Sequence, residues 1–410
     1  GSSWEQALDV AGFRKLLSGS VDLSKSTIYM SQGKYVMSEE SGLGVIVRKN
    51  VKAIKGGYSQ FSEGTDVSAR DIDAYVTVIS GDVNGNKQAD AGDCGLLLVK
   101  KGHIAIEGVT FQYGYVSEAD ASTTECGSGI YVSGGAGDTS IELTDCVIRD
   151  CTSAVTTSAK QGGPAVFVLS GQVRLNKVNL LDNKAVGRGG AVRCSSKTAV
   201  VFMNGCLLKG NSHNGSWGNG IQMSEGHICI NNTTLIDNMG TGAALNGGGS
   251  ILLTNNSDSH GAVRCETGAG GDTKFINNLL ISENPSAPSF NLNGSNFEAF
   301  SKGYNVYQRV TGITMSASDT AYPNPVNGTL NEKGVYVWDL NQIGSVKGYA
   351  TKQAVIEVAK SFNPVASPIA DLGEVFVEWI GEDAFGIDQR GVTRNANKMQ
   401  AGAYDAVLTN

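Results

Sequence analysis

Proline, histidine and charge are all in short supply: the chain has 7 Pro, 4 His and 17% charged residues. So little charge, without a heptad pattern, argues against a coiled coil or a disordered chain. No apolar run approaches the roughly 18 residues of a membrane-spanning helix. The formal net charge of −7 with a pI near 5.3 argues against nucleic acid as a partner, because phosphates need a basic face. None of the 8 cysteines has C-x-x-C spacing, and with so few histidines a structural zinc site is not expected. Signal-peptide character is missing too. The opening Gly1-Ser2-Ser3 reads as a vector remnant or a trimmed mature end, so a native start with its leader is expected outside this chain.

Glycine, by contrast, is abundant at 54 of 410 residues, which suits many short strands joined by tight turns. The pentapeptide GAVRC occurs at Gly190–Cys194 and again at Gly261–Cys265. It is the visible part of a longer repeat, with apolar residues at i, i+2, i+5 and i+7 and a small or polar residue at i+10. Ile104, Ile106, Val109, Phe111 and Gly114 fit it, as do Ile141, Leu143, Cys146, Ile148 and Cys151. Val173 to Asn183, Val201 to Asn211 and Ile228 to Asn238 follow the same spacing. Ile251 and Leu253 open a degenerate copy, and a last copy is read from Lys274 through Ile276, Leu279 and Ile281 to Asn284.

Period two within each pair means strand, and the slip from i+2 to i+5 means a corner. With a third strand upstream of most copies, the pattern predicts an all-β fold, a right-handed parallel β-helix of the pectin-lyase-like solenoid type. Residues 4–90 are expected to form an N-terminal cap and first coils, with helical spacing over Trp4–Leu17. Residues 91–285 are expected to be the regular coils. Six of the seven prolines fall at or after Pro285, and residues 286–410 are expected to be a less regular strand-and-loop segment that caps the end or folds back. A helix is expected at Thr351–Phe362, stopped before Pro364. Asn183, Asn211 and Asn238 should form a corner ladder.

Within each GAVRC, the Val and Cys share a parity and should face the core, with Arg193 and Arg264 outward. Cys94, Cys126, Cys146, Cys151, Cys194, Cys206, Cys229 and Cys265 read as small core residues. Cys146 and Cys151 are close enough for a disulfide in an oxidising compartment.

The outward row beside this strand reads Leu97, Tyr131, Phe167, Arg193 and Gln222, with Arg264 further along. Rings, guanidinium and amide in line resemble a saccharide platform, so Tyr131, Phe167, Arg193, Gln222 and Arg264 are the candidate ligand-binding residues. Two arginines on the row favour an acidic polysaccharide. The competing expectation is that a loop or the C-terminal segment covers this row. A second outward row, Glu142, Arg174, Phe202, Cys229, Leu252 and Phe275, turns apolar, and fold-back of residues 290–410 onto it is expected. The loop DVNGNKQADAGD places Asp82, Asn84, Asn86, Asp90 and Asp93 at positions 1, 3, 5, 9 and 12 of a calcium-loop pattern, though Lys87 stands where Gly is usual. No cofactor is required by any motif. Calcium is the one ion suggested.

Several stretches resemble a known family. "IYMSQGKYVMS", "VIVRKNVKAIKGGYSQF", "SARD" and "TVISGDVNGN" are similar to the start of bacterial surface β-helices related to polymorphic outer-membrane proteins. "SKGYNV", "SPIAD", "DQRG" and "GAYD" look like the closing motifs of choice-of-anchor Q proteins. The resemblance implies a bacterial, secreted or surface-attached right-handed β-helix and carries no reaction with it. Non-catalytic binding of a glycan or a partner protein is the leading expectation. A polysaccharide lyase or glycoside hydrolase on the same fold is the alternative, and a structural stalk the second alternative.

Overall fold

The computed structural model describes residues 3–121, 127–135, 137–157, 160–187, 189–214, 220–238, 249–257, 273–280, 301–308, 315–322 and 346–404. It also gives the backbone of 243–245, 258, 263–265, 290–292, 299–300, 310–311, 328–330 and 336–338. The chain forms two compact units, Gly1–Arg193 with Ser212–Gly215, and Cys194–Asn211 with Ser216–Asn410.

In the first unit, helix α1 covers Val10–Ser18, shorter than the spacing over Trp4–Leu17 implied. Asp9 caps it, its carboxylate accepting from Gly12 N–H at 2.7 Å. Strands then stack in parallel ladders. Leu23–Ser31 pairs with Val51–Tyr58, which pairs with Leu97–Glu107, then Thr139–Thr144 and Val166–Asn176. The second face runs Gly33–Val36, Thr77–Ser80, Val109–Gln112, Val147–Arg149, Asn179–Leu181. A third face joins Val45–Arg48, the start of Leu97–Glu107, Ile130–Ser133 and Val166–Asn176.

Repeat positions coincide in space as the spacing required. Ile104, Ile141 and Val173 are register partners, as are Ile106, Leu143 and Leu175, and all are buried. At the corner between them the chain turns through a left-handed residue, Gly108 (φ 66), Asp145 (φ 49) or Lys177 (φ 55). That one residue explains the three-residue slip of the template. Asn183 spans two coils, accepting from Cys151 N–H at 3.1 Å and donating to Ile148 C=O at 3.0 Å.

The second unit repeats the plan. Val201, Ile228, Ile251 and Thr273 are in register, as are Met203, Ile230, Leu253 and Phe275. This corrects the last copy: its inward residues are Thr273 and Phe275, so Lys274, not Phe275, shares the outward row with Leu252. A one-residue slip of this kind exchanges the two faces of a strand. Asn211 and Asn238 form the expected ladder, with a 2.9 Å amide–amide bond. A second ladder was not anticipated. Thr233, Asn256 and Asn278 each donate their backbone N–H to the side-chain oxygen of the next coil's asparagine, each at 2.9 Å. Asn305 passes the chain on to Asp319.

Parallel pairing continues past residue 285, through Ala299–Ser301 and Val306–Tyr307 to Thr320–Ala321. Beyond it the chain is helical, not only strand and loop. Helix α2 spans Lys352–Lys360 with Thr351 as N-cap, close to the expected element. Helix α3, Leu372–Ile380, was not foreseen. The two helices lie on the apolar outward stripe: Val200, Phe202, Cys229, Leu252 and Ile276 are buried against Val355, Ile356, Leu372, Phe376 and Phe385. Phe202 meets the ring of Phe376 at 5.3 Å and stacks on Trp379 at 5.8 Å. Within this unit, residues of these helices therefore cover the apolar stripe.

Candidate functional site

The row of candidate ligand residues is not an open platform. Tyr131 and Phe167 are register partners, as expected, but they are 0% and 1% exposed, and Arg193 is 4% exposed. Their partner in the preceding coil is Leu98 rather than Leu97. The rings of Tyr131 and Phe167 lie 5.3 Å apart, and the Arg193 guanidinium sits 5.3 Å over Phe167. Loops of the same coils cover the stack. Val116, Ala121 and Val155 pack against the rings, and the Gln161 carbonyl accepts from the Arg193 guanidinium.

Glu118 pins these loops together. Its carboxylate accepts the backbone N–H of Thr156 at 2.7 Å and of Thr157 at 3.1 Å, as well as both threonine hydroxyls. These bonds, the Thr157 hydroxyl foremost, lower its pKa to about 2. Lys160 Nζ adds a bond to the Ala121 carbonyl at 3.0 Å. The expectation of exposure is thus corrected: aromatic side chains at outward positions were covered by long loops, the competing expectation stated above.

Gln222 lies in the second unit and is also buried, at 4% exposure. Its register partners are Ala244 and then Arg264, so Gln222 and Arg264 do share a row. The side chains of Val263, Arg264 and Cys265, like Cys126, lie outside the described residues.

The Asp82–Asp93 loop does not offer a calcium cage. Asp82 is buried and pairs with Lys34 Nζ at 3.0 Å. Asp93 is buried too. One of its oxygens accepts Val83 N–H at 2.9 Å and the other Asp90 N–H at 3.1 Å. Asn84 and Asn86 donate their amides to Asp90. The carboxylates are saturated by the loop's own donors, and a cation already stands beside Asp82, so the donor set does not fit the ion. Among the described residues, no three His, Cys, Asp or Glu side chains gather to hold a metal.

Cys94, Cys146, Cys151, Cys194, Cys206 and Cys229 are buried thiols outside any disulfide. The Cys146–Cys151 disulfide is therefore not formed. Burial pushes the thiols of Cys94, Cys146 and Cys151 up to about 12. Val192 and Cys194 face the core as the GAVRC pattern required.

An open concavity lies at the first strand. It has a volume of about 540 Å³, in the range of small-ligand sites. Residues Ser26 to Ser31 all line it, consecutively. Because neighbouring side chains in a strand point to opposite faces, the cavity must run along the strand's edge. Trp4, Phe13, Tyr29 and Tyr35 supply rings, and Ser3, Thr27 and Thr65 supply hydroxyls. Trp4 is held by its indole N–H, which donates to the Asp66 carbonyl at 2.8 Å. Tyr58 braces both Trp4 and Tyr29, at 5.5 and 5.4 Å between rings. Sequence reasoning missed this site. Its only trace there was the outward parity of Tyr29 in "IYMSQGKY".

Parallel ladders with inward-facing repeats define a β-helix protein. Residues 73–257 match the family model described as the right-handed β-helix region. No curated protein and no solved structure matches the chain. Among the described residues, no helix is long and apolar enough to cross a membrane.

Proposed function

We propose that this is a secreted or cell-surface β-helix protein that binds polysaccharide without turning it over. The observation that carries this reading is the edge cavity, lined by rings and hydroxyls with no carboxylate, imidazole, thiol or amine among its walls. Acid–base and nucleophilic catalysis need such groups within reach of the substrate, and most glycosidases need two carboxylates flanking the bond. The phenols of Tyr29 and Tyr35 have no lining cation to neutralise an acidic sugar, which a lyase requires. In this reading α1 is the N-terminal cap of a pectin-lyase-like solenoid, its Phe13 set edge-on to Tyr35 at 5.8 Å. The closing motifs support a bacterial surface setting. Screening a glycan panel for binding, unsaturated-sugar absorbance and new reducing ends tests the proposal. Binding without product is expected. Product formation would move the reading to a lyase or hydrolase, and response to a surface protein alone would move it to a protein ligand.

A further inference from the structure

We infer that the cavity along Leu23–Ser31 takes a neutral saccharide, recognised by ring faces and by the free edge of the strand. This rests on the binding reading above and names the ligand class at the same site. The strand's ladder bonds go to Val51–Tyr58. Its opposite edge borders the cavity, so backbone N–H and C=O groups alternate along the wall, beside the hydroxyls of Ser26, Thr27 and Ser31. A sugar hydroxyl both donates and accepts, and it matches such a wall in either polarity.

Flat apolar faces complement this. Trp4 and Tyr29 are held rigid through Tyr58, so little ordering is lost when a pyranose face stacks on them. Tyr35 donates its hydroxyl to the Ser31 carbonyl at 3.2 Å, which leaves its oxygen facing Ser31 Oγ as an acceptor.

Charge selects against acidic sugars. No Lys or Arg lines the cavity, and an unpaired anion taken from water into such a site is strongly disfavoured. This reverses the preference for acidic glycans that Arg193 and Arg264 suggested. An added peptide strand is the other ligand an open edge attracts. Here the segment bearing Trp4 crosses to Gly64, with Trp4 N–H bonded to the Gly64 carbonyl at 2.8 Å, and both residues line the cavity. That closure suits a short compact ligand better than a continuous strand.

The test is calorimetry of the chain with neutral gluco-, xylo- and manno-oligosaccharides and, separately, with oligogalacturonate. At least one neutral series should bind, with an affinity unchanged between low and physiological salt. Tyr29→Ala, at a side chain outside the core, should weaken it roughly tenfold with an unchanged melting temperature. Trp4→Phe should keep part of the affinity and remove the ligand-induced change in indole fluorescence. Binding of oligogalacturonate alone overturns the neutral assignment and leaves polysaccharide binding standing. Neutral binding that Tyr29→Ala and Trp4→Phe both leave unchanged overturns the site. Response to neither sugar class overturns both readings.

Discussion

Arg394 and Asn232 lie 162 residues apart and share a buried hydrogen bond of 2.9 Å, guanidinium to amide oxygen. The same guanidinium donates to the carbonyls of Gly402 at 2.9 Å and Gln400 at 3.2 Å. Asn232 in turn donates to the Ala384 and Ile387 carbonyls. Arg394→Ala leaves these acceptors without their donor, and it should cost at least about 2 kcal/mol in denaturant unfolding. An unchanged midpoint would mean that the closing segment is not held here.

Truncating Phe202 removes a ring that touches both Phe376 and Trp379. Phe202→Ala should lose about 3–5 kcal/mol. Gly373 tests the same packing with the opposite expectation from helix propensity. Gly to Ala in a helix normally gains up to about 1 kcal/mol. Here the added Cβ would stand 1.9 Å from the Ala359 carbonyl oxygen, so Gly373→Ala should destabilise. A rise in melting temperature would contradict the close approach of α2 and α3.

Burial lowers the pKa of His227, against the opposing pull of the Ala366 and Lys197 carbonyls, and burial lowers that of His213. The folded state therefore binds these protons less readily than the unfolded chain. Stability from both groups is full above the unfolded pKa, about 6.5, and falls as pH drops below it toward the folded values. Unfolding free energy measured from pH 7.5 to 5 should decline, and His227→Gln should flatten the slope. An identical slope in the variant would remove His227 from the account.

Thiols shut away from solvent react slowly. In the native protein, peptide mapping after alkylation should leave Cys94, Cys146, Cys151, Cys194, Cys206 and Cys229 unmodified. Fast labelling of Cys194 would show that the parity assigned to GAVRC is inverted.

Millimolar calcium should leave the melting temperature unchanged, because the loop's carboxylates already accept internal donors. A ligand at 100 times its dissociation constant would add about 2.7 kcal/mol. A shift of that size would require the Asp82–Lys34 pair to open.

The coils could be read from the sequence because apolar side chains at fixed spacing have one arrangement that buries them all. That logic located Ile104, Ile141 and Val173, and the asparagines at 183, 211 and 238. It failed where the corner residue ceased to be apolar. Asn256 and Asn278 replaced the Val and Cys of earlier coils, the template lost its i+5 mark, and the last copy was placed one residue late. The site failed for another reason. Strand parity tells which side of the wall Tyr131 and Phe167 occupy, and only tertiary structure tells what lies over that side. Helix α3 escaped notice because its apolar residues, Leu372, Phe376 and Val377, answer to a surface that the coils alone create.

The closing segment also acts as a ruler. Gln389 donates to the Cys206 carbonyl at 2.7 Å and accepts from Thr234, while Ala403 bonds Ser257 and Gly402 bonds the Asn277 carbonyl. It thus touches successive turns of the solenoid at fixed heights. Duplicating one turn between residues 206 and 277 would displace each later contact by a full rung and unseat the segment. The turns built on Ile104, Ile141 and Val173 carry a different flank, where Glu142 and Arg174 meet across 4.0 Å in partial exposure. Growth or loss of a turn should be accepted there, so length variation in this architecture is expected to accumulate in the first half of the chain. Comparing the solubility of chains with one turn duplicated in either place would decide it: equal tolerance would mean that nothing measures the second half.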